Sequence, residues 1–300
     1  MNLFQVARLM AGFVGVFTLA QLPAFISALA ETAHPSLSPS TGFGVSIAVG
    51  SVVTILLWLC GRRDRTQIFR KETIAVAGLS YFLAGMMGAI PFFVSGLLSN
   101  PVDAYFEAMS GLTTCGATVL GSGGNMDIEE VARSLLVWRA MLQWIGGIGI
   151  VLVFVALLPA MGVNAKNLLS SESVGVATES YQPRAIEKAR YIGKVYLAMT
   201  LLCMSLLMWI GGFHWFDAMC HAFTSIATGG YSTKASIKSF DSLGGEAVLI
   251  VFMFLSGASL AVIATHLRTG VRCLSKLVQS AEFRIYTASS VLLISILTVA

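Results

Sequence analysis

Long apolar runs, separated by short polar stretches, set the pattern of the chain. The runs cover residues 1–30, 42–61, 74–98, 134–161, 191–212 and 245–265, and another begins near Ile285. Each is close to the ~20 residues that a helix needs to cross the hydrocarbon core of a bilayer. A signal peptide is the alternative for residues 1–30, but the run is long and no clear cleavage site closes it. The pattern predicts an all-α integral membrane protein.

Two shorter stretches between these runs resemble each other. The first reads DAYFEAMSGLTTCGAT from Asp103, and the second reads DAMCHAFTSIATGGYST from Asp217. Each aspartate lies 13 residues before a glycine, Gly116 or Gly230, so the two copies are offset by 114 positions. Each stretch predicts a short helix followed by a loop of small and hydroxylated residues, which are poor helix formers. The sequence therefore predicts an internal repeat.

Composition and charge placement support a membrane location. Hydrophobic residues make up 56% of the chain and charged residues 11%, against about 25% charged residues in soluble domains. Of the 19 lysines and arginines, Arg133, Lys234 and Lys238 fall on the predicted outer side, Arg139 falls within a span, and the others fall on the inner side. The positive-inside rule then predicts a cytoplasmic N-terminus, with both short stretches entering from outside. The five cysteines are scattered, which indicates neither a disulfide framework nor a metal centre, and nothing indicates nucleic-acid binding.

The loop after each short helix suits a site for a monovalent cation. Irregular backbone is tolerated at membrane depth only where protein buries it or water contacts it. Glycine lets successive carbonyl groups turn toward one axis, and a ring of carbonyl oxygens replaces the hydration shell of the ion. We call residues 113–118 the first glycine segment and residues 227–233 the second. The candidate ligands are the backbone carbonyls of Thr114, Cys115, Gly116, Thr228, Gly229 and Gly230, with a further layer from Thr113 and Ala227.

These residues resemble the Trk/Ktr/HKT superfamily of potassium transporters, and within it the bacterial TrkH/TrkG type. The resemblance is carried by TTCGAT at 113–118, ATGGYST at 227–233 and WRAMLQWIGGIGI at 138–150. It implies four helix–pore-loop–helix repeats around one pore, two of them in this chain, preceded by two extra transmembrane helices. Cys115 stands where threonine is common in relatives, and its side chain is expected to point away from the axis.

The resemblance and the pattern together predict five parts of the chain. These are two N-terminal transmembrane helices at 1–68, a first repeat at 69–162, a cytoplasmic linker at 163–190, a second repeat at 191–265, and a loop with the start of a third repeat at 266–300. A carbonyl cage from two segments leaves half of the shell to other residues. Either the chain is a fragment that stops within a helix, or two chains share a pore, and the fragment reading is favoured.

Arg139 is a charged residue in an apolar span, which is costly and points to function. One reading pairs it with Glu107 on the first short helix, where it braces the loop from behind, and the other lets it snorkel to the outer surface. His221 occupies the position of Glu107 in the second copy, and a hydrogen bond within the short helix is expected there. For Gly146, Gly147 and Gly149, close helix packing is favoured over a hinge.

The function implied by the resemblance is potassium uptake across the bacterial inner membrane, with K⁺ as the transported ion and no covalent cofactor. The electrochemical gradient would drive it, and no Gly-x-x-x-x-Gly-Lys-Ser/Thr nucleotide motif occurs. Expected partners are the lipid bilayer, a soluble nucleotide-binding regulatory subunit on the cytoplasmic face, and a second copy in a homodimer. The alternatives are a proton- or sodium-coupled secondary cation transporter and, less favoured, a membrane-embedded enzyme. The protein is not expected to be an enzyme.

Overall fold

The computed structural model describes residues 3–31, 36–61, 70–121, 125–160, 181–258 and 281–299. Within these residues the regular structure is helical. The helices are α1 (Leu3–Ala20), α2 (Leu22–Ala30), α3 (Pro39–Gly61), α4 (Arg70–Val94), α5 (Pro101–Leu112), α6 (Arg133–Ala160), α7 (Tyr181–Trp209), α8 (Trp215–Ile226), α9 (Leu243–Gly257) and α10 (Ala281–Val299). Short 3₁₀ turns lie at Ile128–Glu130 and Ile237–Phe240.

The predicted all-α membrane architecture is confirmed. Among the described residues, four helical stretches are long and apolar enough to cross a membrane: Leu3–Ala30, Pro39–Gly61, Ile74–Val94 and Arg190–Trp209. Each falls on a predicted apolar run. Helix α6 is 28 residues long, or about 42 Å at 1.5 Å per residue, which exceeds the ~30 Å hydrocarbon thickness.

The first predicted span is interrupted near its middle. Helix α1 ends at Ala20 and α2 begins at Leu22, with a proline near the start of α2. Pro23 has no N–H and its ring clashes with the carbonyl of residue 19, which breaks the helical ladder. The backbone N–H of Gln21 instead donates to the Thr18 carbonyl at 3.2 Å, a tighter turn.

Helix α7 begins earlier than predicted, at Tyr181 instead of residue 191. Its first residues are mostly good helix formers, and Pro183 falls in the first turn, where a missing N–H costs nothing. The rest of the predicted linker lies outside the described residues, as do the basic loops around 62–69 and 259–280. Helix α9 ends at Gly257, so the last residues predicted for that span also lie outside them.

Helix α6 lies between two hydrophobic clusters and positions the site. On one side Leu135, Trp138 and Leu142 pack with residues of α1 to α5, while Trp144 and Ile148 pack with α7, α8 and α9. Its N-terminal end is capped by Glu31. That carboxylate accepts hydrogen bonds from the backbone N–H groups of Arg133 (2.7 Å) and Ser134 (3.3 Å) and from the Ser134 hydroxyl (2.7 Å).

Candidate functional site

The two glycine segments leave their short helices with the same backbone hydrogen bonds. Helix α5 is capped by the Asn100 side chain and α8 by the His214 side chain, 114 positions later. The N–H groups at 113, 114 and 115 donate to the carbonyls of Met109, Gly111 and Ser110 at 2.8, 3.0 and 2.9 Å. Those at 227, 228 and 229 donate to Phe223, Ser225 and Thr224 at 3.2, 3.1 and 2.8 Å. The matched pattern shows that the sequence similarity corresponds to similar local structure.

Left-handed backbone occurs at matched positions in both segments. The φ angles are +54° at Thr114 and +53° at Thr228, then +76° at Gly116 and +82° at Gly230. Positive φ is unusual for a β-branched residue and costs about 1–3 kcal/mol, so such residues cluster at functional sites. Cys115 does not share the positive φ. Positive φ therefore recurs at alternate positions, 114 and 116 in the first segment and 228 and 230 in the second.

Two glycines of α6 allow this helix to contact the ends of both short helices. A Cβ on Gly146 would overlap the carbonyl oxygen of Leu112, the last residue of α5. A Cβ on Gly147 would lie 3.1 Å from the Cα of Ala227, the C-cap of α8. The contacts support the packing interpretation of this glycine-rich stretch.

Arg139 and Glu107 form a buried ion pair, and Arg139 also reaches the second segment. Arg139 is 1% exposed and Glu107 is 0% exposed, so Arg139 does not snorkel. The Arg139 Nε–H donates to Glu107 Oε1 at 2.7 Å. Its Nη1 lies 3.4 Å from the Ser232 carbonyl oxygen, and its Nη2 lies 3.1 Å from Thr118 Oγ1. Its Cζ lies 4.0 Å from the centre of the Tyr231 ring, within cation–π range.

The Glu107 carboxylate also fixes the backbone that follows the first segment. It accepts a hydrogen bond from the Val119 N–H at 3.0 Å and lies 3.0 and 3.1 Å from the Thr118 hydroxyl. With the guanidinium, these donors satisfy a carboxylate that would otherwise be buried at high cost. The pair thus anchors α5, the first segment and α6 to one another.

His221 makes the matching contact in the second copy through hydrogen bonds instead of an ion pair. Its Nδ1 lies 2.8 Å from the Asp217 carbonyl oxygen and therefore carries the proton. Its Nε2 lies 3.1 Å from the Ser232 hydroxyl, which occupies the position of Thr118. Met253 stands 114 positions after Arg139. An imidazole that forms hydrogen bonds within its own copy needs no cationic partner, which agrees with a methionine at that position, and the predicted hydrogen-bonding role of His221 is present in the structure.

Gln143 and Tyr231 join the second segment to the first half of the chain, and sequence reasoning missed both. The Gln143 side chain is 0% exposed. Its Nε2–H donates to the Gly229 carbonyl at 2.8 Å, and its Oε1 accepts from the Tyr231 N–H at 3.2 Å. The Tyr231 hydroxyl lies 2.9 Å from the Glu107 carbonyl oxygen and 3.2 Å from that of Ala117. One signal was available: Gln143 lies one turn after Arg139, on the same face of an apolar helix.

The two segments border one cavity of about 590 Å³. Its lining includes Gly116, Gly230, Arg139, three acidic residues and one lysine, namely Asp127, Glu129, Glu130 and Lys234. Of the predicted ligand residues, Thr113, Cys115, Thr228 and Gly230 are exposed, Thr114 and Gly116 are half-buried, and Ala227 and Gly229 are buried. Of these residues, Gly116 and Gly230 line the cavity, whereas Gly229 and Ala227 are set back from the surface.

Comparison with known proteins places this geometry in a family. The family model described as TrkH, cation transport protein, matches residues 42–300. The chain is 34% identical over 259 residues to the Trk system potassium uptake protein TrkH of Salmonella typhimurium, covering 85% of this chain and 51% of that protein. It is 36% identical over 220 residues to the protein of the same name from Escherichia coli, covering 72% and 44%. The chain therefore spans about half the length of the curated relatives that it matches.

The fold has a counterpart among solved structures. The crystal structure of the potassium transporter TrkH from Vibrio parahaemolyticus superposes with a TM-score of 0.80 at 27% sequence identity, covering 99% of this chain and 58% of that one. Most of the chain thus matches both a family model and a solved structure that carry the same name. Since the family model covers the short helices, the glycine segments and α6 together, the chain belongs to the TrkH family of cation transport proteins.

Proposed function

We propose that this protein takes up potassium through a pore lined by the backbone carbonyls of the two glycine segments. The observation that carries the proposal is the matched left-handed backbone at Thr114 and Gly116 and at Thr228 and Gly230, beside a shared cavity. Strained backbone at equivalent places in two segments is expected where carbonyl oxygens must face one ion. The Trk relatives are named for potassium uptake, which agrees.

The short helices favour a cation at the same place. The C-terminal end of a helix carries a partial negative charge, and α5 and α8 both end immediately before a glycine segment. A membrane potential of ~100 mV supplies about 2.3 kcal/mol per charge, enough to drive uptake without a nucleotide. The one carboxylate described deep in this site, Glu107, is held by Arg139. Because Glu107 is already paired with Arg139, it gives no support to a mechanism in which this carboxylate binds a coupled proton or sodium ion.

The location and partners of the protein are part of the proposal. The uneven distribution of lysine and arginine supports the bacterial inner membrane with the N-terminus in the cytoplasm. The cytoplasmic loops would dock a soluble nucleotide-binding regulatory subunit, and two copies would form a dimer. The division into two N-terminal helices followed by repeats is supported by the offset of 114 positions that relates α5 to α8. Two further segments, outside this chain, would complete the ion's shell.

The test is uptake of Rb⁺ and Na⁺ by the full-length protein in cells that lack their own potassium uptake. The wild-type protein should take up Rb⁺ in preference to Na⁺. Gly116→Ser should lower the Rb⁺/Na⁺ ratio, because the added side chain would overlap the Gly229 carbonyl and disfavour the left-handed φ. Equal uptake of both ions by the wild type would refute potassium selectivity, and an unchanged ratio in the variant would refute the placement of the site.

A further inference from the structure

The two glycine segments differ at one layer of carbonyl oxygens. Cys115 and Gly229 are equivalent positions, and each N–H donates to the short helix in the same way. Cys115 is exposed and Gly229 is buried. The Gly229 carbonyl accepts the Gln143 amide at 2.8 Å, whereas the described residues give the Cys115 carbonyl no hydrogen bond. The backbone is matched, but the surroundings of the carbonyl are not.

The difference between the two carbonyls comes from Gln143, which lies in another part of the chain. It lies on α6, 86 positions before Gly229, and its amide contacts the segment on both sides of Gly230. A Cβ on Gly229 would overlap the Gln143 side chain, so the glycine is needed for the amide to approach. The amide is fully buried, so water does not compete for either bond. A buried carbonyl that loses such a donor is left unsatisfied and must find another orientation.

We infer that Gln143 is a positioning residue for ion selectivity, which holds the Gly229 carbonyl away from the ion path and, through the Tyr231 N–H, sets the direction of the Gly230 carbonyl. This inference rests on the proposed function. Its physical basis is geometric: one side chain binds the peptide groups before and after Gly230. Gly230 itself has φ of +82°, and a Cβ at this position would meet nothing within 4 Å. Without the amide, nothing described restrains the Gly230 peptide groups from that side.

The position 114 residues after Gln143 is Gly257, which has no side chain to repeat the contact. The two hydrogen bonds from the Gln143 side chain are therefore specific to the second glycine segment, and α9 offers no equivalent side chain at this position. We expect ion coordination at this layer to be unequal between segments, with Cys115 contributing its carbonyl and Gly229 not.

The test compares Gln143→Met and Gln143→Asn with wild type in the full-length protein. Methionine keeps the length and flexibility of the side chain and removes both hydrogen bonds, while asparagine keeps the amide but is one methylene too short. Rb⁺ uptake, Na⁺ uptake and the amount of protein in the membrane are measured for each. We expect the Rb⁺/Na⁺ ratio to fall about five- to tenfold in both variants, the equivalent of one net hydrogen bond, at near-normal amounts of protein.

Thr200→Val is the matched control. Thr200 is buried on α7 and accepts the Trp144 Nε1–H at 3.1 Å, so the change removes a buried polar contact of the next residue along α6 without touching either segment. It should lower thermal stability and leave the ratio unchanged. A normal ratio in both Gln143 variants, an equal fall in Thr200→Val, or failure of both Gln143 variants to reach the membrane would overturn the inference. A wild-type protein that does not distinguish Rb⁺ from Na⁺ would instead refute the proposed function.

Discussion

Three glycines with left-handed backbone allow two effects of an added side chain to be measured separately. One is the backbone strain that any Cβ causes at positive φ, and the other is the disturbance of the candidate ion site. Gly116, Gly230 and Gly212 have φ of +76°, +82° and +65°. A Cβ on Gly230 or Gly212 would meet nothing within 4 Å, whereas one on Gly116 would overlap the Gly229 carbonyl oxygen. Gly212 lies between α7 and α8, outside both segments. Alanine at each of the three positions should therefore cause similar backbone strain, but only at Gly116 should it also cause a steric overlap.

The expected magnitudes follow from these surroundings. Left-handed backbone costs a residue with a Cβ about 1–2 kcal/mol, which is the whole expected loss for Gly230→Ala and Gly212→Ala. Gly116→Ala must also displace the Gly229 carbonyl and weaken its bond to Gln143, which adds about 1 kcal/mol. We expect Gly116→Ala to lose the most stability, and Gly116→Ala and Gly230→Ala, but not Gly212→Ala, to lower ion selectivity.

Thermal unfolding of the purified protein and the Rb⁺/Na⁺ uptake ratio check the two quantities separately. The steric argument fails if Gly116→Ala unfolds at the same temperature as Gly212→Ala. The assignment of the second segment fails if Gly230→Ala keeps the wild-type ratio while it loses stability.

Three further predictions concern the contacts around the site. Arg139→Gln and Glu107→Gln should each lower the free energy of unfolding by about 3–5 kcal/mol, because each leaves a buried charge without its partner. The double variant should lose less than the sum of the two. Additive losses in a double-mutant cycle would contradict the pairing. Tyr231→Phe keeps the ring over Arg139 and should cost about 1 kcal/mol of stability, measured by thermal unfolding. Glu31→Gln should lower thermal stability by about 0.5–2 kcal/mol through the weakened cap of α6, with no change in the uptake ratio; a changed ratio would show that the cap reaches the site.

Contacts between neighbouring elements were predictable from the sequence. The equal spacing from Asp103 to Gly116 and from Asp217 to Gly230 predicted two short helices with matched loops, because local hydrogen bonds and helix ends depend on nearby residues. The contact between Arg139 and Glu107 was also predictable. A pore-loop hairpin forces the two helices together, and a buried charge requires a partner.

Features that depend on distant contacts were not predictable in this way. The orientation of the Gly229 carbonyl is decided by a side chain 86 positions away, and neutral Gln143 carries no charge that demands a partner. The left-handed φ of Thr114 and Thr228 opposes the preference of β-branched residues, and such backbone persists only where the surrounding structure holds it in place. The break between α1 and α2, in contrast, was predictable from a nearby residue. Pro23 indicates it, but the continuous apolar run favoured a single uninterrupted helix.

The contacts of Glu107 also impose an order on assembly during synthesis. Glu107 leaves the ribosome 32 residues before Arg139 and 124 residues before Tyr231. At ~5–20 residues per second, the carboxylate is ahead of its guanidinium by about 2–6 s, and its backbone carbonyl is ahead of the tyrosine hydroxyl by about 6–25 s. An unpaired carboxylate is costly in lipid, so until α6 emerges Glu107 must either stay in contact with water or carry a proton. The first glycine segment, although made earlier, therefore reaches its final form only after the second has been synthesised.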